Sequence, residues 1–107
     1  MVKPSVILTH SPSDYMEDHM NTSRLAVTAA FIPGVPNFSA DHAAVNNYDC
    51  AVYHALPHSL LDPLRRKVIP EIFIDTSTVH ATKRKALEAH KSQQNWLEDS
   101  QKMNSYI

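Results

Sequence analysis

The chain is 107 residues long, carries a formal charge of −1 and is 43% apolar. That is enough for one small folded domain and excludes a disordered chain. A balanced charge also argues against a nucleic-acid surface, which needs a basic stripe. Only Arg65-Arg66-Lys67 forms a basic run, and three charges read as a solvated loop.

Glycine occurs once, at Gly34, so neither a P-loop nor a dinucleotide-binding fingerprint can be written here. Cysteine also occurs once, at Cys50, which rules out an internal disulfide and a thiolate zinc site and leaves a small core residue. No signal-peptide pattern opens the chain and no apolar run approaches about 18 residues. The expectation is a cytoplasmic chain with no membrane span.

Val6 to Thr9 is continuously apolar apart from its last residue and predicts a strand buried on both faces. The next ten residues, His10-Ser11-Pro12-Ser13-Asp14-Tyr15-Met16-Glu17-Asp18-His19, hold two imidazoles and three carboxylates. A polar loop between a strand and a helix is where α/β proteins place binding and catalytic groups. It can equally be a solvated loop whose Asp18 caps the next helix. Met20 to Phe31 then predicts a helix with Met20, Val27, Ala30 and Phe31 on its inner face, ended by Pro33, Gly34 and Pro36.

Residues 37–49 read as an irregular connection with a short helix over Ala40 to Val45. Cys50 to Ala55 predicts a second strand. Pro57 and Pro63 make 56–70 a loop, and Ile72-Phe73-Ile74 predicts a third strand. Asp75-Thr76-Ser77 is a turn and cap before a long helix from about Thr78 to Leu97. On that helix Val79, Ala86, His90, Gln93 and Leu97 recur at spacings of seven, four, three and four, which puts His90 inward among apolar groups. The order is α/β. Three apolar strands with two helices need more cover than this chain supplies, either a second copy of the chain or a further part of the same protein.

Seven histidines permit metal binding or acid–base work. A catalytic zinc takes about three protein ligands, and His19 with one carboxylate could supply two. There is no His-Glu-x-x-His helix, Pro57 separates His54 from His58, and a single glycine forbids a Gly-x-Ser-x-Gly elbow. Asp14 and Asp18 would also suit a paired-carboxylate glycosidase, as would any two acids in a loop.

Thr9-His10-Ser11-Pro12-Ser13-Asp14-Tyr15-Met16-Glu17-Asp18-His19, followed by Thr22-Ser23-Arg24, resembles the second metal motif of the LmbE-like / PIG-L family of zinc-dependent N-deacetylases. Asp62-Pro63-Leu64-Arg65-Arg66, Phe73-Ile74-Asp75-Thr76-Ser77, Lys83 to Leu87, Ala89-His90-Lys91-Ser92-Gln93, Trp96-Leu97 and Ser100-Gln101 look like further family segments. The resemblance implies a Rossmann-like, mostly parallel sheet with flanking helices, of which residues 1–107 form the C-terminal part. It implies Zn2+ as cofactor and removal of an acetyl group from an N-acetylated sugar conjugate. His19 matches the later zinc ligand, and Asp18 matches the acid before it, which would orient the imidazole. Asp14 and Asp18 are the catalytic candidates; His10 and His90 are the substrate-binding ones.

Two departures stand out. The family's N-terminal Ala-His-Pro-Asp-Asp motif, with two zinc ligands and the general base, is absent. Met16 also stands where many members carry a histidine thought to act as acid or oxyanion stabiliser, a role that falls to Asp14 or His10 or goes unfilled. The partners expected are therefore the N-terminal half of the same protein or a second copy of the chain. The alternative is a non-catalytic chain that keeps the fold and binds a sugar or a partner.

Overall fold

The computed structural model describes residues 4–35 and 49–102, and the short helix expected over 40–45 lies outside them. The chain divides into two compact units, Met1–Glu71 and Ile72–Ile107.

The first unit is a strand–helix–strand arrangement. Strand β1 is Val6–His10, helix α1 is Glu17–Phe31 and strand β2 is Ala51–Ala55. The two strands pair in parallel with Val6 opposite Ala51 and His10 opposite Ala55. A bond from the Ala51 N–H to the Ser5 carbonyl extends the ladder by one step. Parallel neighbours require a crossover, and α1 lies in it, packed against β1. This is a small α/β fold.

Burial along β1 alternates rather than being complete. Ile7 is half-buried and Thr9 buried, while Val6 and Leu8 are exposed, Leu8 by 73%. One sheet face therefore lies against α1, and the other is open, where Tyr53 stands opposite Leu8. The expectation of a strand buried on both faces is corrected: among the described residues, one helix covers one face.

Helix α1 starts three residues earlier than the apolar pattern predicts. Its covered positions are His19, Met20, Ser23, Ala26 and Ala30, while Val27 and Phe31 are exposed. The face that packs is thus the small-residue face, because Ser23, Ala26 and Ala30 let the helix approach the sheet closely. The one-turn 3-10 stretch Ile32–Gly34, with Pro33 inside it, ends the helix.

After β2 the chain folds back on itself around Asp62. Leu61 and Lys67 form an antiparallel bridge, and the Val68 N–H donates to the Leu60 carbonyl. Asp62 Oδ1 accepts the N–H groups of Leu64 and Arg66, each at 2.8 Å, and Oδ2 accepts Arg66 Nε at 2.7 Å. The first of the charges in the basic run, Arg65, sits at φ 62° and Leu60 at φ 55°. Both are left-handed positions that glycine would ordinarily fill, in a chain with one glycine.

The second unit is mainly helical. Ile72, Phe73 and Ile74 form no strand and pair with none among the described residues, and all three are exposed. The third strand is a correction: the three-residue run finds no ladder partner among the described residues. Asp75 forms the expected turn, with Oδ1 accepting both the N–H and the hydroxyl of Ser77. Those two donors hold the Asp75 carboxyl below its usual 3.8. A 3-10 turn, Ser77–Val79, leads into α2, His80–Glu88.

The single helix expected over 78–97 is also corrected. It breaks after α2, and a second 3-10 turn, Lys91–Gln93, leads into α3, Gln94–Gln101. The Gln94 side chain donates to the Glu88 carbonyl at 3.2 Å and replaces a helical bond missing at the break. Most helical stability comes from packing an amphipathic face, and here every side chain described from 77 to 99 is exposed except the half-buried Leu87 and Leu97.

Among the described residues no aliphatic, aromatic, methionine or cysteine side chain is buried. The buried positions are Thr9, Ser11, Asp14, Ser23, Pro57 and Asp62. Cys50, expected in the core, is half-buried.

Candidate functional site

The polar stretch between β1 and α1 is held by its own side chains. Ser11 Oγ accepts the Ser13 N–H at 3.2 Å and donates to the Ser13 carbonyl at 2.9 Å, which closes the turn at Pro12. Asp14 then directs the entry into α1. Its Oδ1 accepts the Met16 N–H at 2.9 Å, and its Oδ2 accepts Nδ1–H of His19 at 3.1 Å. The Asp14 carboxylate is 2% exposed, whereas its two donors, on Met16 and His19, are partly exposed. Burying a carboxylate is costly unless it is hydrogen-bonded, and here each oxygen has a donor.

This changes the roles of the two acids. Asp18 was expected to cap α1 and to orient His19, and it does neither. The cap position is Met16, which makes no side-chain cap bond, and the imidazole is held by Asp14. Asp18 sits in the first turn of α1 beside Glu17, where a carboxylate favours the positive end of the helix dipole. The physical reason is register. A helix that begins at Glu17 makes His19 its third residue, so the ring folds back over the preceding turn, where Asp14 lies.

His10 and His19 are also brought together. Their rings stack with centroids 4.2 Å apart and planes 4° from parallel, and Tyr15 meets His19 edge-on at 6.3 Å. The stack decides a point of metal chemistry. Van der Waals contact keeps the ring planes roughly 3.5 Å apart. An ion shared by both rings would then lie about 1.7 Å out of each plane on bonds of about 2.0–2.1 Å, far from the in-plane lone pairs. His10 and His19 therefore cannot both ligate one ion in this arrangement.

His19 alone suits a ligand. A carboxylate can only accept, so Nδ1 carries the proton and Nε2 the lone pair, the carboxylate–histidine arrangement that orients metal-binding imidazoles. Its side chain is partly exposed, at 29%. Among the described residues no three His, Cys, Asp or Glu side chains converge as a metal site.

Sequence reasoning weighed His54 only as a metal pair with His58 and missed its place here. Its Nδ1 lies 2.8 Å from the His10 carbonyl and 3.3 Å from Ser23 Oγ. A carbonyl cannot donate, so Nδ1 is the donor and cannot serve as a base for the 1%-exposed Ser23, which excludes a serine–histidine nucleophile. A residue on one strand gives no local signal that it will touch the end of another strand 44 positions away.

His90 lies in the second unit. It was expected to point inward on one long helix, and it is exposed at the break between α2 and α3, with ψ 59°. Once the helix breaks there, the face shared by Val79, Ala86, His90, Gln93 and Leu97 no longer exists.

No helix among the described residues is long and apolar enough to cross a membrane. No protein-family model, no curated protein and no solved structure matches the chain.

Proposed function

We propose that this chain supplies one arm of the metal site in a zinc-dependent N-deacetylase of the LmbE-like / PIG-L kind, within a Rossmann-like sheet larger than the part described. The reading rests on the residue pattern from Thr9 to Arg24 and is carried by one observation, the Asp14–His19 pair at the start of α1. In this reading His19 is the ligand through Nε2, and Asp14 orients the ring and keeps the proton on Nδ1. His10 lies against the outer side of that ring and faces the N-acetylated sugar conjugate.

When bound, zinc supplies Lewis acidity and an acidified water for attack on an amide carbonyl. One histidine does not hold such an ion, so the remaining ligands come from chain outside the described residues or from a second chain. Met16 cannot donate a proton. Asp14, with both oxygens engaged, is a positioning group rather than the acid, and of the two substitutes for the missing histidine His10 remains. The second reading, a non-catalytic chain that binds a sugar or a partner, is favoured by Met16 and by the single ligand.

Zinc titration by calorimetry tests the proposal. The chain should bind zinc weakly, His19→Ala should abolish that binding, and Asp14→Asn should weaken it about 10- to 100-fold. Tight stoichiometric zinc that survives His19→Ala would overturn the assignment. Joining the chain to a segment that carries the missing His and Asp ligands separates the readings, since deacetylation appears only under the first.

A further inference from the structure

The two stacked rings belong to different elements: His10 ends β1 and His19 lies in the first turn of α1. Stacking of two imidazoles is too weak to hold a strand end against a helix start by itself. Asp14 holds the His19 ring from the loop, and one nitrogen on β2 touches both the end of β1 and α1.

His54 lies on β2, opposite Thr9 and one step before the partner of His10. Its Nδ1 donates to the His10 carbonyl at 2.8 Å. The same nitrogen is 3.3 Å from Ser23 Oγ, a longer and weaker second contact. Ser23 follows His19 by four residues, one turn along the same face of α1, and at 1% exposure it lies between helix and sheet. The contacts close a ring: His54 to the His10 backbone, the His10 ring to His19, and α1 from His19 through Ser23 back to His54.

We infer that His54 is a positioning residue for the His10–His19 pair, acting as a strut from β2 that fixes the end of β1 and the first turns of α1 through Nδ1–H. The inference deepens the reading of His19 given above, but its geometry can be tested without metal. It requires His54 to be the Nδ1–H tautomer. A side chain with an N–H in the Nδ1 position, as in asparagine, should do the same work, whereas glutamine places its amide one bond too far out.

Long-range 1H–15N correlation at neutral pH reads the tautomer of each histidine, and nuclear Overhauser effects between ring protons read the stack. In the unaltered chain His54 should be protonated at Nδ1, and the His10 and His19 rings should show mutual Overhauser effects. His54→Ala and His54→Gln should abolish those effects while helical circular dichroism persists, and His54→Asn should restore them. An Nε2–H tautomer at His54 in the unaltered chain would overturn the inference. So would ring Overhauser effects that survive His54→Ala or His54→Gln. Should those two variants unfold, His54→Asn still decides: the strut stands if it recovers both fold and stack and falls if it recovers the fold alone. Zinc titration reads His19 separately. If His54→Ala unstacks the rings as expected but the unaltered chain binds no zinc, only the deacetylase reading sinks. If the rings stay stacked in His54→Ala and zinc binds through His19, only the strut sinks.

Discussion

Two histidines, His19 in the first turn of α1 and His90 at the break between α2 and α3, differ in their surroundings. His19 is stacked on one ring, edged by another and hydrogen-bonded to a buried carboxylate. His90 lies exposed at a helix break. The stretch around His19 is ordered by short-range polar contacts: Ser11 with Ser13, Asp14 with Met16, Asp14 with His19. These partners are two to five residues apart, so the contacts form wherever the turn forms. The helix around His90 depends on a continuous apolar face, which has meaning only when something packs against it. Polar turn chemistry specifies geometry locally, and amphipathic spacing specifies it only conditionally.

That contrast is sharpest at Asp14. Asp14→Ala leaves the Met16 N–H and His19 Nδ1–H without their acceptor at a part-buried junction, and the cost should be about 2–3 kcal/mol in urea denaturation. Asp18→Ala removes a first-turn charge from the helix dipole and should cost only about 0.3–1 kcal/mol. Equal losses of stability from the two substitutions would mean that Asp14 does not organise the junction.

The Asp62 loop gives a second case of local polar order, with a pH signature. The Arg66 N–H, aided by the Arg66 guanidinium, holds the Asp62 carboxyl below its usual 3.8. A carboxyl depressed in the folded state stabilises it fully above the unfolded value, and that contribution disappears as pH falls through the lower folded value. Hydrogen exchange at the Leu64 and Arg66 amides should therefore lose protection below about pH 4, beyond the intrinsic trend. Asp62→Ala should show the loss already at neutral pH. Protection indifferent to both changes would remove Asp62 as the organiser of the loop.

The smallest effect belongs to His90. His90→Ala should change stability by less than about 0.5 kcal/mol, as for an exposed site without buried partners. A loss of about 1–3 kcal/mol would restore the inward placement read from helical spacing.

Much of the first unit was legible in the sequence, because each legible feature is short in range. The strand from Val6, the polar loop after it and the helix closed by Pro33 and Gly34, and in the second unit the turn at Asp75, follow from backbone preferences and side chains reaching two or three residues along. The elements fall where those residues put them, within a few positions. His10, Asp14 and His19 could be named together because ten residues of polar chain hold all three.

What only the tertiary structure decided is which partner each group takes. The choice of Asp14 over Asp18 for His19 depends on a helix start that shifts by three residues. Packing selected the Ser23–Ala26–Ala30 face of α1 over the one carrying Val27 and Phe31, because smaller side chains let helix and sheet meet. His54 entered the site through a parallel pairing between strands more than 40 residues apart. The same spacing can place a side chain inside or outside, and sequence cannot say which until something occupies the other side. That is why Leu8, Ile72, Phe73 and Ile74 read as core and yet stand exposed among the described residues. Burial is a relation between surfaces, and periodicity describes only one of them.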